Sequence, residues 1–199
     1  MTETAIIVPS RLNAKRLPNK PLKIINNKEM ILHVYDSAIK ANVGEVFVAT
    51  PDEEIIKVVE KHGGRAVITK SEHETGTDRV FEVFEKELKK KTNFIINLQG
   101  DMPNLDPLTI KDLVEHMKKN TCDIGTLASN LEGEAEKKDS NVVKVITEKD
   151  IEKKEFSKAV DFFRLSRSSI VNPVYHHIGI YAFTNEALIR YVNLKRSKL

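Results

Sequence analysis

The sequence has little of the material that would place it outside a reducing compartment or within a membrane. Cys122 is the single cysteine among 199 residues, so no internal disulfide can form. The apolar runs are short, as in residues 5–8, whereas a helix needs about 20 apolar residues to cross a bilayer. Residues 1–4 show no basic segment leading into a hydrophobic one, so we expect no secretory signal. These features favour a cytoplasmic protein with no membrane partner.

An excess of charge of one sign is also missing. Lysine and arginine number 32 and aspartate and glutamate number 29, which leaves a formal net charge of +3. Lysines alternate with glutamates, as in residues 85–87, and the basic run at residues 89–91 stands where a helix should end and its macrodipole favours cations. We therefore expect solvated helix surfaces and no nucleic-acid partner. Hydrophobic residues at 40% and charged residues at 31% are typical of a soluble globular protein.

Internal repeats, low-complexity tracts and clean linkers are absent as well, so we expect a single domain over residues 1–199. Its first half alternates short β-branched runs with amphipathic segments. Strands are predicted at residues 5–8, 45–50, 66–69 and 94–98. Helices are predicted at residues 30–41, from about 52 to the glycines at 63 and 64, at 77–90 and at 106–119. Strands separated by helices form βαβ units and a mostly parallel, doubly wound sheet.

The rhythm changes in the second half of the chain. Strand-like runs follow one another there without full-length helices between them, at residues 124–128, 142–147, 159–163 and 175–183. The charged segments at 132–138 and 148–158 are expected to be loops or short helices. The predicted fold class is therefore α/β, with an antiparallel excursion in the second half.

The loop after the first predicted strand concentrates cationic side chains. Arg11, Lys15, Arg16 and Lys20 lie in one short connection that is bracketed by prolines. Ligands bind at the carboxyl ends of strands in open α/β sheets, and arginine and lysine hold phosphate oxygens. An ordinary solvent-exposed basic loop is the alternative, which four cations in a constrained loop make less favoured. The glycine-rich patterns GxxxxGK[ST] and GxGxxG are absent, so a P-loop or dinucleotide-binding site is not supported.

Asp101 follows the fourth predicted strand, in the sequence Gln-Gly-Asp-Met-Pro. We expect it at the same edge of the sheet as the basic loop. A carboxylate there suits Mg²⁺, which binds through few protein oxygens together with substrate phosphates. The alternative is a plain turn residue beside Gly100.

A third segment, Gly-Thr-Asp-Arg at residues 76–79, opens a predicted helix. Capping accounts for much of it, with Gly76 in a turn, Thr77 as the N-cap and Asp78 in the first helical turn. Because helix N-termini also offer free amides to ligands, capping and nucleotide contact are compatible.

Two adjacent histidines, His176 and His177, lie in a predicted strand. Neighbouring residues of a strand point to opposite faces, so the pair is not expected to chelate one metal. We expect one histidine to face a cleft and the other to face the surface. Ser166, Ser168 and Ser169 lack a G-x-S-x-G context, so no serine nucleophile is proposed.

Together these segments resemble the 3-deoxy-manno-octulosonate (Kdo) cytidylyltransferase, or CMP-Kdo synthetase, family. The family's N-terminal signature, P-[AS]-R followed by a loop that ends R-L-P-x-K-P-L, matches residues 9–11 and 16–22, where Asn19 replaces a glycine that many members carry. Its G-T-[DE]-R pattern matches residues 76–79, and its Q-G-D-x-P pattern matches residues 99–103. Its H-x-G-x-Y strand is matched in the second half of the chain by His177, Gly179 and Tyr181. Four motifs in family order along the whole chain make a specific signal.

The resemblance implies a nucleotide-diphospho-sugar transferase-like, Rossmann-like fold that acts as a homodimer in lipopolysaccharide biosynthesis. It implies transfer of CMP from CTP to the anomeric hydroxyl of Kdo, with release of pyrophosphate, and Mg²⁺ held by Asp101. Catalytic roles are implied for Arg11, Arg16, Lys20 and Asp101. Nucleotide-binding roles are implied for Pro9, Ser10, Arg11, Gly76, Thr77, Arg79 and Gln99. Sugar-binding roles are implied for Arg164, His177, Gly179 and Tyr181.

Two departures from the family pattern stand out. Asp161-Phe162-Phe163-Arg164 replaces the family's tyrosine-phenylalanine-serine-arginine. The chain ends where members continue into a helix with a Glu-Gln pair and a V-D-T-x-x-D-L segment that supplies a second metal ligand. We therefore expect a C-terminal segment to be missing from this sequence.

Two alternatives remain at this point. The chain could be a cytidylyltransferase for another sugar acid, such as a sialic acid or an 8-amino Kdo analogue. It could also be a non-catalytic, nucleotide-binding remnant, which CTP binding without pyrophosphate release would identify.

Overall fold

The computed structural model describes residues 3–13, 17–88, 92–151, 156–165 and 171–195. The chain forms two compact units, one of Met1–Gly125 with Ile180–Leu199 and the other of Thr126–Gly179. Strands β7 (Ile124–Ser129) and β10 (Val174–Thr184) contain the two boundaries between these units.

Strand β1 (Thr4–Pro9) is the buried centre of the sheet in the first unit. Strands β4 (Glu45–Thr50) and β6 (Phe94–Asn97) pair with it in parallel on either side. Strand β5 (Ala66–Ile68) continues the parallel sheet beyond β4. The continuous apolar runs of β1, β4 and β6 are explained by this position, since both faces of a parallel sheet are covered.

The C-terminal half of β10 adds an antiparallel strand to the same sheet. It pairs with β6, where Tyr181 lies opposite Asn97 and Thr184 lies opposite Phe94. A hairpin of two short strands, β2 (Ile24–Ile25) and β3 (Lys28–Glu29), forms a separate small sheet after the first loop. The predicted α/β class, mostly parallel with added antiparallel strands, is confirmed.

Helices of the first unit begin and end close to the predicted positions. Helix α4 begins after Asp106, whose carboxylate accepts the N–H of Leu108 at 2.9 Å, and carries proline at its first position. The segment predicted to be helical as far as residue 90 is α-helical only to Val83 and continues as a π-helical turn, Phe84–Leu88. The α-helices of this unit are α1 (Met30–Ala41), α2 (Glu53–Lys61), α3 (Gly76–Val83), α4 (Pro107–Lys119) and α6 (Asn185–Val192).

Helix α6 was not predicted from the sequence, yet it helps to close the core of this unit. Leu188 of α6 is fully buried in one cluster with residues of β1, β4, β6, α3 and the π-helical turn. Burying a leucine side chain is worth about 2 kcal/mol. The members of the cluster are Ala5, Ile7, Phe47, Ala49, Val80, Val83, Phe84, Leu88, Ile95, Phe183 and Leu188.

The second unit is built from antiparallel strands, as predicted for this half of the chain. Strand β8 (Lys144–Thr147) pairs with β9 (Ala159–Phe163) and with the N-terminal half of β10. A short exposed helix, α5 (Gly133–Lys138), precedes β8. No helix among the described residues is both long enough and apolar enough to span a bilayer.

Candidate active site

The loop after β1 is tied to two neighbouring elements before it reaches Lys20. The N–H of Ser10 donates to the carbonyl of Ala49 on β4 at 2.9 Å. The N–H of Leu12 donates to the carboxylate of Asp52 at 2.8 Å. Because Asp52 is the N-cap of α2, these contacts fix the start of the loop at the carboxyl edge of the sheet. Arg16 and Lys15, two of the four predicted cations, lie outside the described residues.

Asn19 shows why a residue other than glycine is tolerated in this loop. Its backbone has φ 55° and ψ 24°, in the left-handed region that asparagine adopts more readily than most side chains. A 3₁₀ turn, Lys20–Leu22, follows directly, and its middle residue, Pro21, is buried. Asn19 therefore keeps the turn that presents Lys20.

Lys20 and Asp101 form an ion pair, with 2.9 Å between Nζ and Oδ2. The two residues are 81 positions apart in sequence, and both side chains are partly exposed. The pair brings the basic loop and the Gln-Gly-Asp segment to the same edge of the sheet, as predicted. It also means that one cation and one carboxylate neutralise each other in this state of the protein.

Gly100 allows the Asp101 segment to lie directly against the end of β1. A Cβ atom at position 100 would stand 2.8 Å from the carbonyl oxygen of Pro9, closer than such atoms approach. The partner is backbone, so it cannot move aside as a flexible side chain would. Glycine is therefore required here by close packing.

These residues surround a cavity of about 310 Å³ in the first unit. Eight predicted site residues line it: Pro9, Ser10, Arg11, Lys20, Gly76, Arg79, Gln99 and Asp101. The buried hydroxyl of Ser10 has no hydrogen-bond partner among the described residues. A buried, unpaired hydroxyl at a cavity wall is costly unless a ligand or water satisfies it. The lining also includes Pro21, Met30, His73, Glu74, Thr75 and Gly100.

The N-terminus of α3 differs by two residues from the prediction. Thr75, not Thr77, is the N-cap, because its hydroxyl accepts the N–H of Asp78 at 3.2 Å while the Asp78 carboxylate accepts the N–H of Thr75 at 3.0 Å. This reciprocal capping box requires a spacing of three residues, which Thr77 and Asp78 do not have. Thr77 is not among the cavity-lining residues, whereas Thr75 and Gly76 are.

Thr77 instead belongs to a network around Asn97 that was not singled out in the sequence. Asn97 is fully buried at the end of β6, and its amide donates to the Thr77 hydroxyl at 3.1 Å. Its side-chain oxygen accepts from the amide of Gln99 at 2.8 Å. One buried amide therefore fixes Gln99, which lines the cavity, against the start of α3. A single polar residue in the apolar run Phe-Ile-Ile-Asn-Leu was the available signal.

Arg79 is almost completely buried in the cavity wall. Its guanidinium donates to the hydroxyl of Thr69 and, at 2.8 Å, to the carbonyl of Lys70. Burial and the nearby positive charge of Arg11 lower the pKa of Arg79. The charge of Arg79 is thus held by neutral backbone and hydroxyl groups, in a position where it adds positive potential to the cavity.

His73 and Glu82 form a second pair that sequence reasoning missed. His73 lines the cavity, and its Nε2 contacts the Glu82 carboxylate. Glu82 also pairs with Lys86 at 2.7 Å and accepts the N–H of Lys70 at 3.0 Å. Burial acts to raise the pKa of Glu82, but its hydrogen bonds with Lys86, His73 and the Lys70 N–H outweigh burial and lower it to about 2. Glu82 is therefore a permanent anion that orients the His73 ring.

Three of the predicted sugar-binding residues lie in the second unit. The guanidinium of Arg164 is exposed and donates to the carbonyl of Asn141 at 2.9 Å. His177 is buried, with its Nε2 at 2.9 Å from the Thr126 hydroxyl and its ring edge-on to Phe162. Of the residues that the structure describes, none has an atom within 4 Å of where a Cβ of Gly179 would stand, so the space beside it is open with respect to them.

The Thr126 hydroxyl contacts both the ring of His177 and the backbone beside it. It lies 2.9 Å from Nε2 of His177 and donates to the carbonyl of Ile178 at 3.2 Å. Burial and the adjacent His176 lower the pKa of His177, which favours the neutral ring. His176 itself pairs with Glu136 at 2.6 Å. The two histidines therefore have different environments, as the strand geometry predicts.

Tyr181, the fourth predicted sugar residue, belongs to the first unit. Its ring packs beside Phe183, and burial and the neighbouring Tyr191 raise its pKa. It is not among the residues that line the cavity of about 310 Å³. Over the described ranges, no group of three or more His, Cys, Asp or Glu side chains is arranged to hold a metal ion. Asp101 therefore offers a single carboxylate, which fits a cation that takes most of its ligands from phosphates and water.

Comparison with known proteins gives a consistent result. The sequence model of a family described as Cytidylyltransferase matches residues 5–199. A 3-deoxy-manno-octulosonate cytidylyltransferase of Brucella ovis is 39% identical over 99% of this chain and 78% of its own length. A protein of the same description from Nitrobacter winogradskyi is 39% identical over 100% of this chain and 79% of its own length.

A solved structure supports the same assignment. It is described as CMP:2-keto-3-deoxy-manno-octonic acid synthetase complexed with CTP, and it superposes with a TM-score of 0.86 at 35% identity. The match covers 98% of this chain and 79% of the solved one. The cavity at the carboxyl edge of the sheet and these likenesses lead to one conclusion: the chain belongs to the 3-deoxy-manno-octulosonate cytidylyltransferase family.

Proposed function

We propose that the protein transfers CMP from CTP to the anomeric hydroxyl of Kdo. The hydroxyl oxygen forms a bond to the α-phosphorus and loses its proton to solvent, the bond from that phosphorus to the β-phosphate bridging oxygen breaks, and pyrophosphate leaves. The observation that carries this proposal is the meeting of Arg11, Lys20, Arg79 and Asp101 with Gln99 around one cavity. Phosphoryl transfer depends chiefly on positioning and charge neutralisation, which such a cavity supplies.

The cationic side chains that line the cavity support binding of the triphosphate. Arg11 presents a fork that suits phosphate oxygens, and Lys20 a point charge. Lys20 now contacts Asp101, so phosphate binding by Lys20 would exchange one anionic partner for another. The pyrophosphate leaves as an anion, and Arg11, Lys20 and Arg16 would stabilise the charge that develops on it.

Asp101 would hold Mg²⁺, which supplies neutralisation and polarisation of phosphate oxygens when bound. The chain's own contribution is to keep the carboxylate beside the end of β1 through Gly100. The fit rests on the donor set: an exposed carboxylate oxygen next to cavity walls that carry positive charge.

The remaining walls would bind the nucleoside. Gln99 is held by Asn97, Gly76 packs against Pro9, and Ser10 has a buried hydroxyl that a ligand could satisfy. We include Thr77 in this group because its hydroxyl accepts a hydrogen bond from the Asn97 amide, which in turn holds Gln99. These residues would orient CTP and would not take part in proton transfer.

Arg164 would pair with the sugar carboxylate, and His177, Gly179 and Tyr181 would line the sugar pocket. The open space beside Gly179 and the contact of the His177 ring with the Thr126 hydroxyl support this assignment. The expectations of a homodimer, a cytoplasmic location, a single domain and a role in lipopolysaccharide biosynthesis rest on the family resemblance and stay predictions.

Pyrophosphate release with CTP, Mg²⁺ and Kdo tests the proposal. Release that requires both CTP and Kdo is the expected result. Release with a sialic acid or an 8-amino Kdo analogue but not with Kdo would contradict the substrate assignment. CTP binding by calorimetry without release from any of these sugar acids would contradict an enzymatic role.

A further inference from the structure

Lys144 is the one lysine that the structure buries completely among the described residues. It is 1% exposed, at the start of β8 in the second unit. A buried ammonium is costly unless it is well paired, and lysines are seldom found in such positions. A strand position inside a core is filled at less cost by an apolar residue, so the ammonium needs a specific explanation.

The partners of Lys144 supply that explanation. Its Nζ donates to the carbonyl of Asp139 and, at 2.9 Å, to the carbonyl of Arg164. Asp139 lies in the loop between α5 and β8, and Arg164 directly follows β9. One ammonium therefore ties the loop before β8 to the residue that ends the neighbouring strand.

The side chain of Arg164 contacts the same loop, the one between α5 and β8. Its Nη1 lies 2.9 Å from the carbonyl of Asn141 and 3.4 Å from that of Ser140. Three consecutive carbonyls, of residues 139, 140 and 141, thus accept hydrogen bonds from two cationic side chains. The Asp139 carboxylate accepts the N–H of Asn141 at 2.8 Å, which holds the loop in the required turn.

This arrangement determines how the guanidinium of Arg164 is presented. The backbone of Arg164 is held by Lys144, and the described side-chain contacts of Arg164 all use Nη1. A guanidinium has five N–H donors in a rigid fork, so Nε and Nη2 retain their direction when Nη1 is anchored. A bidentate bond to a carboxylate requires such a direction.

We infer that Lys144 is a positioning residue, which orients Arg164 to bind the carboxylate of the sugar acid. The inference rests on the proposed function, because it takes Arg164 to be the carboxylate-binding residue. Lys144 does not itself touch the substrate. Its loss would alter sugar binding and leave CTP binding in the first unit unchanged.

The test compares Lys144→Met, which keeps the aliphatic stem and loses the ammonium, with the wild-type protein. We expect the KM for Kdo to rise about tenfold, since misplacing a binding group by about 1 Å can cost up to 100-fold, while the KM for CTP stays within about twofold. Lys137→Met is the matched control, because Lys137 is exposed and pairs only with Glu134 on α5 among the described contacts. It should leave both constants unchanged.

A double-mutant cycle separates positioning from general damage. Arg164→Ala alone should raise the KM for Kdo, and adding Lys144→Met to it should cause no further rise. An additional tenfold rise in the double variant would overturn the inference, as would an unchanged KM for Kdo in Lys144→Met. Lys144→Gln provides a second variant if the methionine variant fails to fold. Its amide can donate to only some of the carbonyls that Lys144 contacts, so the KM for Kdo should rise by less than in Lys144→Met. No rise would overturn the inference.

The same assays distinguish this inference from the proposed function. A wild-type protein that releases no pyrophosphate with Kdo contradicts the proposed function. An active wild type whose KM for Kdo is insensitive to Arg164→Ala removes the role of Arg164 and with it that of Lys144. An active wild type that is sensitive to Arg164→Ala but not to Lys144→Met contradicts the inference alone.

Discussion

The cavity of the first unit and the Arg164 region of the second unit are organised by different kinds of contact. In the cavity, side chains hold one another, as Lys20 holds Asp101 and Asn97 holds Gln99. Around Arg164, two cations are held by consecutive backbone carbonyls. Side-chain partners can be exchanged when a substrate enters, whereas backbone carbonyls keep their positions. We therefore expect the cavity to rearrange its polar contacts on binding CTP and the Arg164 region to be preorganised.

The largest effect is expected from a substitution in the cavity of the first unit. Asp101→Asn removes the charge that would hold Mg²⁺ and the partner of Lys20. We expect kcat to fall by about 100-fold or more, because electrostatic stabilisation of the phosphates is lost. Steady-state kinetics with saturating CTP and Kdo measure it. Asp123→Asn, which loses only an exposed pair with Arg190, is the control and should retain normal turnover.

Glu82→Gln tests the stability of the cavity wall. The folded-state pKa of Glu82 is about 2, against an ordinary value of 4.5, so its stabilising contribution is fully present above pH 4.5 and is lost as the pH falls toward 2. We expect the variant to lose about 1–2 kcal/mol of unfolding free energy at pH 7, since solvent screens the half-exposed partner Lys86. Urea unfolding should show this difference shrinking between pH 4.5 and pH 3. A difference that does not change with pH would contradict the ionic origin.

Asn97→Leu tests whether the buried amide of Asn97 positions the side chains that would bind the nucleotide. Without it, Gln99 and Thr77 each lose a hydrogen bond. We expect the KM for CTP to rise about tenfold, with the KM for Kdo unchanged, since two hydrogen bonds are worth about 1–3 kcal/mol. Asn120→Ala, which removes a 2.8 Å hydrogen bond to a carbonyl of α4, controls for a loss of stability. An equal effect on both substrates would argue against a separate nucleotide wall.

The smallest effect is expected from a substitution in the second unit. Thr126→Val removes the hydroxyl that forms a hydrogen bond with Nε2 of His177. We expect the KM for Kdo to rise about threefold, which corresponds to the loss of one hydrogen bond, while the KM for CTP does not change. In the intact protein the His177 ring should titrate below its usual pKa of 6.5 when followed by NMR. Titration above that value would contradict the burial described for this ring.

Much of the fold was predictable because hydrophobic period and strand chemistry agree along the chain. Helix α1, strand β4 and strand β9 have the predicted bounds. Helix α6 was missed although Thr184, its N-cap, is a residue type that often begins a helix, and its hydroxyl accepts the N–H of Ala187 at 3.1 Å. The π-helical turn after Val83 could not be predicted, because the same apolar spacing suits a continuous α-helix.

The candidate site shows a similar limit. The carboxyl-edge rule correctly brought the loop after β1 and Asp101 together, although 81 positions separate Lys20 from Asp101. The N-cap was wrong because two threonines precede Asp78, and only the one three residues before it can form a capping box. Asn97, Glu82 and Lys144 were missed because each acts through a partner that lies outside its own helix or strand.

The close packing of Gly100 on the Pro9 carbonyl has a consequence for the order of events when substrate enters. Asp101 follows a peptide that has no room to shift, whereas Lys20 ends in a chain of four rotatable bonds. Opening the ion pair therefore needs only a change of the lysine rotamer. Such changes take picoseconds to nanoseconds at exposed positions, whereas loop motions take nanoseconds to microseconds. The cavity can therefore accept a phosphate group through a side-chain change at Lys20, without a loop having to open first.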